Sequence, residues 1–207
     1  MKILIADDHS VVRRGLQQII ATRPGWAVAE VSSADEVLPA LRSDGFSALV
    51  LDVSLGGRSG IDLLGHIRAE FPTLPVLMLS MHAEEQYAIR CLRAGASGYI
   101  QKDSSPEELL EAIERVVSGR TYISHAVAEQ LATELVRGPS DTPHERLSTR
   151  EFEVFRLIAA GKSATEIAEV LNLSVKTVST YRSRILVKTG FRSNADIITY
   201  AIRSGLV

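Results

Sequence analysis

Five short apolar runs, each closed or followed by a polar residue, constrain this chain more than any other feature. They fall at 2–6 (KILIA), 27–31, 48–53 (ALVLDV), 75–80 (PVLMLS) and 98–101. Helical periodicity fills the gaps, near 9–22, 35–43, 61–71, 84–94 and 106–118. Runs that are apolar without alternation fit strands buried on both faces, and helices between them make those strands parallel. Five such units predict an α/β, doubly wound (βα)5 domain. Pro106 followed by Glu107 and Glu108 opens the fifth helix well, since proline suits a first turn and acids favour its positive end. Pro39 falls inside the second helical pattern and predicts a kink or an early stop there.

In an open parallel sheet, ligands sit beyond the carboxyl ends of the strands. The residues at those ends are Asp7 and Asp8 after the first strand, Asp52 on the third, Ser80 on the fourth and Lys102 after the fifth. Three clustered carboxylates do not all stay ionised without a counter-charge. A hard divalent cation such as Mg2+ resolves this, because it takes oxygen ligands and keeps room for a phosphate. With Lys102 as a mobile cation and Ser80 as a hydroxyl donor, the set describes phosphoryl transfer onto a carboxylate.

Residues 1–120 resemble a response-regulator receiver domain, on the strength of the Asp7-Asp8 pair, the Leu-Asp52 strand end, Ser80, Tyr99, Lys102 and Gly60. That resemblance implies that Asp52 accepts a phosphoryl group from a sensor histidine kinase. It implies that Asp8, Asp52 and the Ser54 backbone carbonyl ligate Mg2+, with Asp7 acting through water and Lys102 pairing with the phosphoryl group. It further implies a switch in which Ser80 moves toward the phosphoryl group and Tyr99 then turns inward. The chain departs from the common pattern in two places. Asp103 follows the lysine, and Gly56-Gly57 stand in the loop after Asp52, where many receivers carry a proline at position 56. The glycines predict a flexible loop and leave the lifetime of the phosphoryl group open.

A helical pattern at 124–136 places Val127, Leu131 and Leu135 on one face, and the stretch 137–146 (RGPSDTPHER) reads as a linker. The pattern does not decide whether that helix connects or packs. The expected divisions are therefore 1–120, a helical connector and linker at 121–145, and 146–207. Charge divides in the same way. Residues 1–145 carry 13 Lys+Arg against 20 Asp+Glu, and residues 146–207 carry 10 against 5. The basic tail invites a polyanion.

The tail predicts four helices, at 148–160, 163–171, 174–189 and 193–204. The short Asn172-Leu173 turn gives the middle pair helix-turn-helix spacing. The helix after that turn carries Lys176, Arg182, Arg184 and Lys188 and no acid, which suits the major groove. Helical spacing turns Val178, Ile185 and Tyr181 inward. Ser179, Thr180 and Ser183 then face base edges, and Lys176, Thr177, Arg182 and Lys188 face phosphates. This segment resembles the LuxR-type DNA-binding domain of the NarL/FixJ class, through LSTRE-EV, GKSATEIA, LSVKTVSTYRSRI and YAIRSGL. The class implies binding to double-stranded DNA as a homodimer through the fourth tail helix once phosphorylated, with RNA polymerase as a further partner. Tyr181 stands where the class often has histidine, so no target sequence follows.

One cysteine, Cys91, allows no disulfide within the chain, and a reducing cytoplasm fits. The first apolar run is too short for a signal peptide, and no run is long enough to span a bilayer. The five histidines do not pair at metal-ligand spacing. His9 is expected to cap or border the first helix, and His82 to face solvent near the pocket. A hydrolase using Asp52 for turnover usually places a second acid two residues on; that position is Ser54, so the chain reads as a regulator, not an enzyme. The alternative is an atypical regulator that binds DNA without phosphorylation.

Overall fold

A computed structural model describes residues 1–81, 85–137 and 142–206, without the side chains of 85, 86, 130 and 133–137. The chain divides into two compact units, Met1–Arg137 and Gly138–Val207.

In the first unit the strands are β1 (Lys2–Ala6), β2 (Ala27–Val31), β3 (Ala48–Asp52), β6 (Val76–Ser80) and β7 (Gly98–Gln101). They form one sheet in the order β2-β1-β3-β6-β7, and every pairing is parallel. The helices between and after them are α1 (Ser10–Ala21), α2 (Ala34–Ser43), α3 (Gly60–Glu70), α4 (Glu85–Arg93) and α5 (Pro106–Val117). β3 and β6 are buried along their whole length, which is why their sequences do not alternate. Ile3, Ile5, Val50, Leu77 and Leu79 meet Leu16 and Ile20 of α1 and Ile113 and Val116 of α5 in one core. Each such side chain contributes roughly 1.5–3 kcal/mol on burial.

α2 runs through Pro39 to Ser43, so the expected early stop does not occur; the ring removes only one N–H from the ladder. α5 starts as its sequence demands, with Ser105 and Glu108 forming a reciprocal cap and Pro106 in the first turn. The helix after residue 124 is α6 (His125–Arg137), and it packs against α4. Just before it, the Tyr99 N–H donates to the Tyr122 carbonyl at 2.9 Å, extending the edge of β7.

The loop after Asp52 corrects an expectation. It is a hairpin of β4 (Ser54–Leu55) and β5 (Arg58–Ser59). Gly56 and Gly57 sit at φ +57° and +78°, as a two-residue turn with both central residues left-handed requires. The glycines build a turn here instead of loosening a loop. Arg58 anchors the hairpin to Asp35 of α2.

The second unit is helical: α7 (Thr149–Ala159), α8 (Ala164–Val170), α9 (Val175–Thr189) and α10 (Asn194–Arg203). Part of the expected linker belongs to its core. Pro143–Arg146 form a 3-10 turn in which His144 is buried, with Nδ1 2.7 Å from the Tyr200 hydroxyl.

Candidate functional site

The carboxyl ends of β1, β3, β6 and β7 bring the expected polar residues together. Asp7 is fully buried and Asp52 is 3% exposed. The Lys102 ammonium reaches between them, 2.7 Å from Asp7 Oδ2 and 2.7 Å from Asp52 Oδ2. Its own N–H donates to the Ser80 carbonyl at 2.7 Å, which fixes where its side chain starts. The Ser54 N–H donates to Asp52 Oδ1 at 3.1 Å. Arg13 of α1 donates to the Asp7 carbonyl at 2.7 Å and holds the end of β1.

Burial pushes the Asp52 carboxyl up to about 6, with Asp7 adding to the rise and Lys102 and the Ser54 N–H opposing it. Lys102 is held above its ordinary value: burial works against its charge, and the attraction of Asp52 and Asp7 outweighs it.

Asp8 lies at the rim. The Gly56 N–H donates to its Oδ2 at 3.1 Å, so the hairpin touches the pocket directly. A proline at position 56 has no N–H and cannot make this bond. Gly60 explains the tight entry into α3: a Cβ there would lie 2.0 Å from the Asp52 carbonyl oxygen.

Asp7, Asp8, His9 and Asp52 offer ligand atoms that all lie within 4.8 Å of one another. Asp7 Oδ2 is buried and faces the Lys102 ammonium at 2.7 Å. Three carboxylates gathered this closely suit a hard cation, so the donor set fits Mg2+. His9 was missed in the sequence. Its side chain does not cap α1; its Nδ1 lies 2.8 Å from Asp8 Oδ1. A poor cap residue beside two aspartates was the available signal. His82 lies outside the described residues.

Ser80 is 1% exposed and Tyr99 is 7% exposed, and their hydroxyls share a hydrogen bond. Tyr99 therefore lies inward here. Burial pushes its phenol upward, so it stays protonated.

In the second unit, Val178 and Ile185 are buried and Tyr181 half-buried, which turns the other side of α9 outward. Lys176, Ser179, Thr180 and Ser183 are exposed and Thr177 is half-buried. The hydroxyls of Ser179, Thr180 and Ser183 each donate to the carbonyl four residues back, leaving their oxygens as acceptors. Two expected phosphate contacts have partners within the unit. Arg182 donates to Asn194 Oδ1 at 2.6 Å, and Lys188 pairs with Glu151 at 2.6 Å. Burial pushes the Glu151 carboxyl up, but Lys188 and the Ser148 cap outweigh it and hold it below its ordinary value.

The turn between α8 and α9 places Asn172 at φ +51°, and the Leu173 N–H closes back on the Ala168 carbonyl at 2.8 Å. Arg150 of α7 donates to the Leu171 carbonyl at 3.0 Å while paired with buried Glu153. This pair ties the turn to α7. Its residues stand on a helix face that reads as polar, so the pattern alone did not reveal it.

Among the described residues, no helix is long and apolar enough to cross a membrane. Residues 3–114 match the response regulator receiver domain family, and residues 145–201 match the family of bacterial regulatory proteins of the luxR type. The response regulator UvrY of Escherichia coli (strain K12) is 32% identical over 208 residues, covering 100% of this chain and 95% of its own. The oxygen regulatory protein NreC of Staphylococcus aureus (strain JH9) is 37% identical over 215 residues, covering 100% and 99%. A solved structure of RcsB from Salmonella enterica serovar Typhimurium, bound to promoter rprA in the presence of the phosphomimetic BeF3−, aligns with a TM-score of 0.63 and 27% identity over 97% of each chain. The matches cover both units in order: the chain belongs to the two-component response regulators of the LuxR-type, NarL/FixJ class.

Proposed function

We propose that Asp52 is the phosphoacceptor and that its modification controls DNA binding by α9. The observation that carries this reading is the Asp7–Lys102–Asp52 bridge, with 2.7 Å on each side, at the carboxyl edge of a parallel sheet. An Asp52 oxygen attacks the phosphorus of a phosphohistidine or small acyl phosphate. The new O–P bond makes an acyl phosphate, and the donor leaves with the electrons of the broken bond. Lys102 swings its ammonium from the two carboxylates to the incoming phosphoryl oxygens. Asp7, Asp8, Asp52 and the Ser54 carbonyl would hold Mg2+, which supplies positive charge against the transferring oxygens. The Ser54 N–H keeps Asp52 oriented.

Phosphorylation adds charge and strong acceptors. The Ser80 hydroxyl turns toward them and gives up its bond to Tyr99. Tyr99 then loses a partner without changing sides, so the signal is a change in hydrogen bonding at the β7 edge. That edge continues through Tyr122 toward α6.

In the tail, Ser179, Thr180 and Ser183 read base edges, with Lys176 and Thr177 on phosphates. Arg182 and Lys188 serve phosphates only by leaving Asn194 and Glu151. The active form is a homodimer on DNA through α10, and RcsB dimers on DNA are a solved precedent. The partner kinase is a histidine kinase.

The test is incubation with acetyl phosphate and Mg2+, followed by mass measurement. One phosphoryl group appears on the chain and maps to Asp52, and Asp52→Asn stays unlabelled. A persistent label in Asp52→Asn refutes the assignment.

A further inference from the structure

α1 begins less well than most helices of this chain. Serine caps α3, α5, α7, α8, α9 and α10, each time accepting a hydrogen bond from the N3 backbone. His9 stands at that position in α1 and makes no side-chain cap. Histidine is not a favoured cap residue, so the helix start alone does not account for it.

The imidazole leans over the acids instead. Nδ1 lies 2.8 Å from Asp8 Oδ1 and 3.2 Å from Asp7 Oδ1. The His9 backbone N–H also donates to Asp7 Oδ1 at 2.7 Å, which fixes the ring's base. Neighbouring ligands on an octahedral ion with bonds of about 2.1 Å stand about 3 Å apart. The two nitrogen–oxygen separations bracket that edge length. Asp7, Asp8, His9 and Asp52 each offer a ligand atom to this cluster, all within 4.8 Å of one another.

We propose that His9 donates its Nδ1 lone pair to the cation in this pocket. Such a site is no longer an all-oxygen one. It prefers divalent ions that accept imidazole, such as Co2+ and Zn2+, more than the carboxylates alone would dictate. Mg2+ gains little from the nitrogen. The inference rests on the cation site proposed above and adds a residue to it that selects among ions.

The test uses full-length protein. Calorimetry gives Kd for Co2+ and for Mg2+ in the wild type, in His9→Ala and in His9→Asn; asparagine is a good helix cap, so the last variant keeps α1 intact. Pulsed EPR on each protein loaded with Mn2+ reads nitrogen coupling directly. The wild type shows a histidine nitrogen on Mn2+, and both variants lose it. Co2+ binding weakens at least about tenfold in the variants, while Mg2+ binding changes far less. A wild type without nitrogen coupling overturns the proposal, as does an equal loss for both ions. If no divalent ion binds at all, the cation site itself falls with it. A wild type that is labelled at Asp52 in Mg2+ yet shows no nitrogen coupling sinks His9 alone and leaves the cation site standing.

Discussion

Asp52→Asn is expected to make the first unit more stable when no divalent cation is present. The carboxyl moves from an ordinary 3.8 to about 6, and burial is the leading cause. At 1.36 kcal/mol for each tenfold change in proton affinity, an ionised Asp52 costs about 3 kcal/mol in the folded chain. Asparagine removes that charge and leaves Lys102 paired with Asp7. Loss of one charged hydrogen bond, about 1.5–3 kcal/mol, offsets much of the gain, so about 0–1.5 kcal/mol remains. The sign fixes the pH profile. A raised carboxyl favours folding fully below 3.8, and that contribution disappears as pH rises through about 6. The variant therefore exceeds the wild type at pH 7.5, and the two converge below pH 4. Trp26 is the only tryptophan and packs against the first unit's core, so its fluorescence reports this unit's unfolding in urea. With chelator at pH 7.5, the urea midpoint shifts upward in Asp52→Asn. Saturating Mg2+ shrinks or reverses the gap, because the wild type alone keeps the full ligand set. A variant less stable than the wild type in chelator at pH 7.5 would refute the burial argument.

Gly60→Ala forces a Cβ to 2.0 Å from the Asp52 carbonyl oxygen. Backbone crowding of that kind costs roughly 1–3 kcal/mol or more, and the same Trp26 titration reads it; an unchanged midpoint contradicts the close approach. In the second unit, the lowered Glu151 carboxyl contributes stability above its ordinary value of 4.5 that disappears as pH falls through its depressed value. Helical circular dichroism of the full chain therefore weakens in acid as this unit loosens, and Glu151→Gln flattens that part of the response. Lys176→Ala weakens every DNA sequence alike and lowers the salt slope by about one. Thr180→Ala instead changes the ranking of sequences, as fluorescence anisotropy on a panel of duplexes will show.

The fold was legible because its strands are short, uniformly apolar and separated by helical periods. Strand and helix bounds moved by about one residue. The acidic pocket was legible for a related reason: topology alone carries Asp7, Asp52, Ser80 and Lys102 to one edge. What periodicity does not carry is the choice of partner for each polar group. Gly56-Gly57 read equally well as a loose loop or a tight turn, and the Asp8 contact and Arg58–Asp35 pair favour the turn. His144 looked like linker, yet a hydroxyl 56 residues away holds it in the core. Lys188 had the charge for a phosphate, but Glu151 reaches it from another helix. For Tyr99 the resemblance supplied a movement without a starting position, and the structure adds a buried side chain bonded to Ser80.

DNA affinity measured on one preparation, before and after acetyl phosphate treatment in Mg2+, tests the central claim most directly. The account predicts that wild-type protein carrying one phosphoryl group on Asp52 binds its DNA severalfold tighter, and that Asp52→Asn neither gains the label nor changes affinity. Equal DNA affinity for labelled and unlabelled wild type would contradict it.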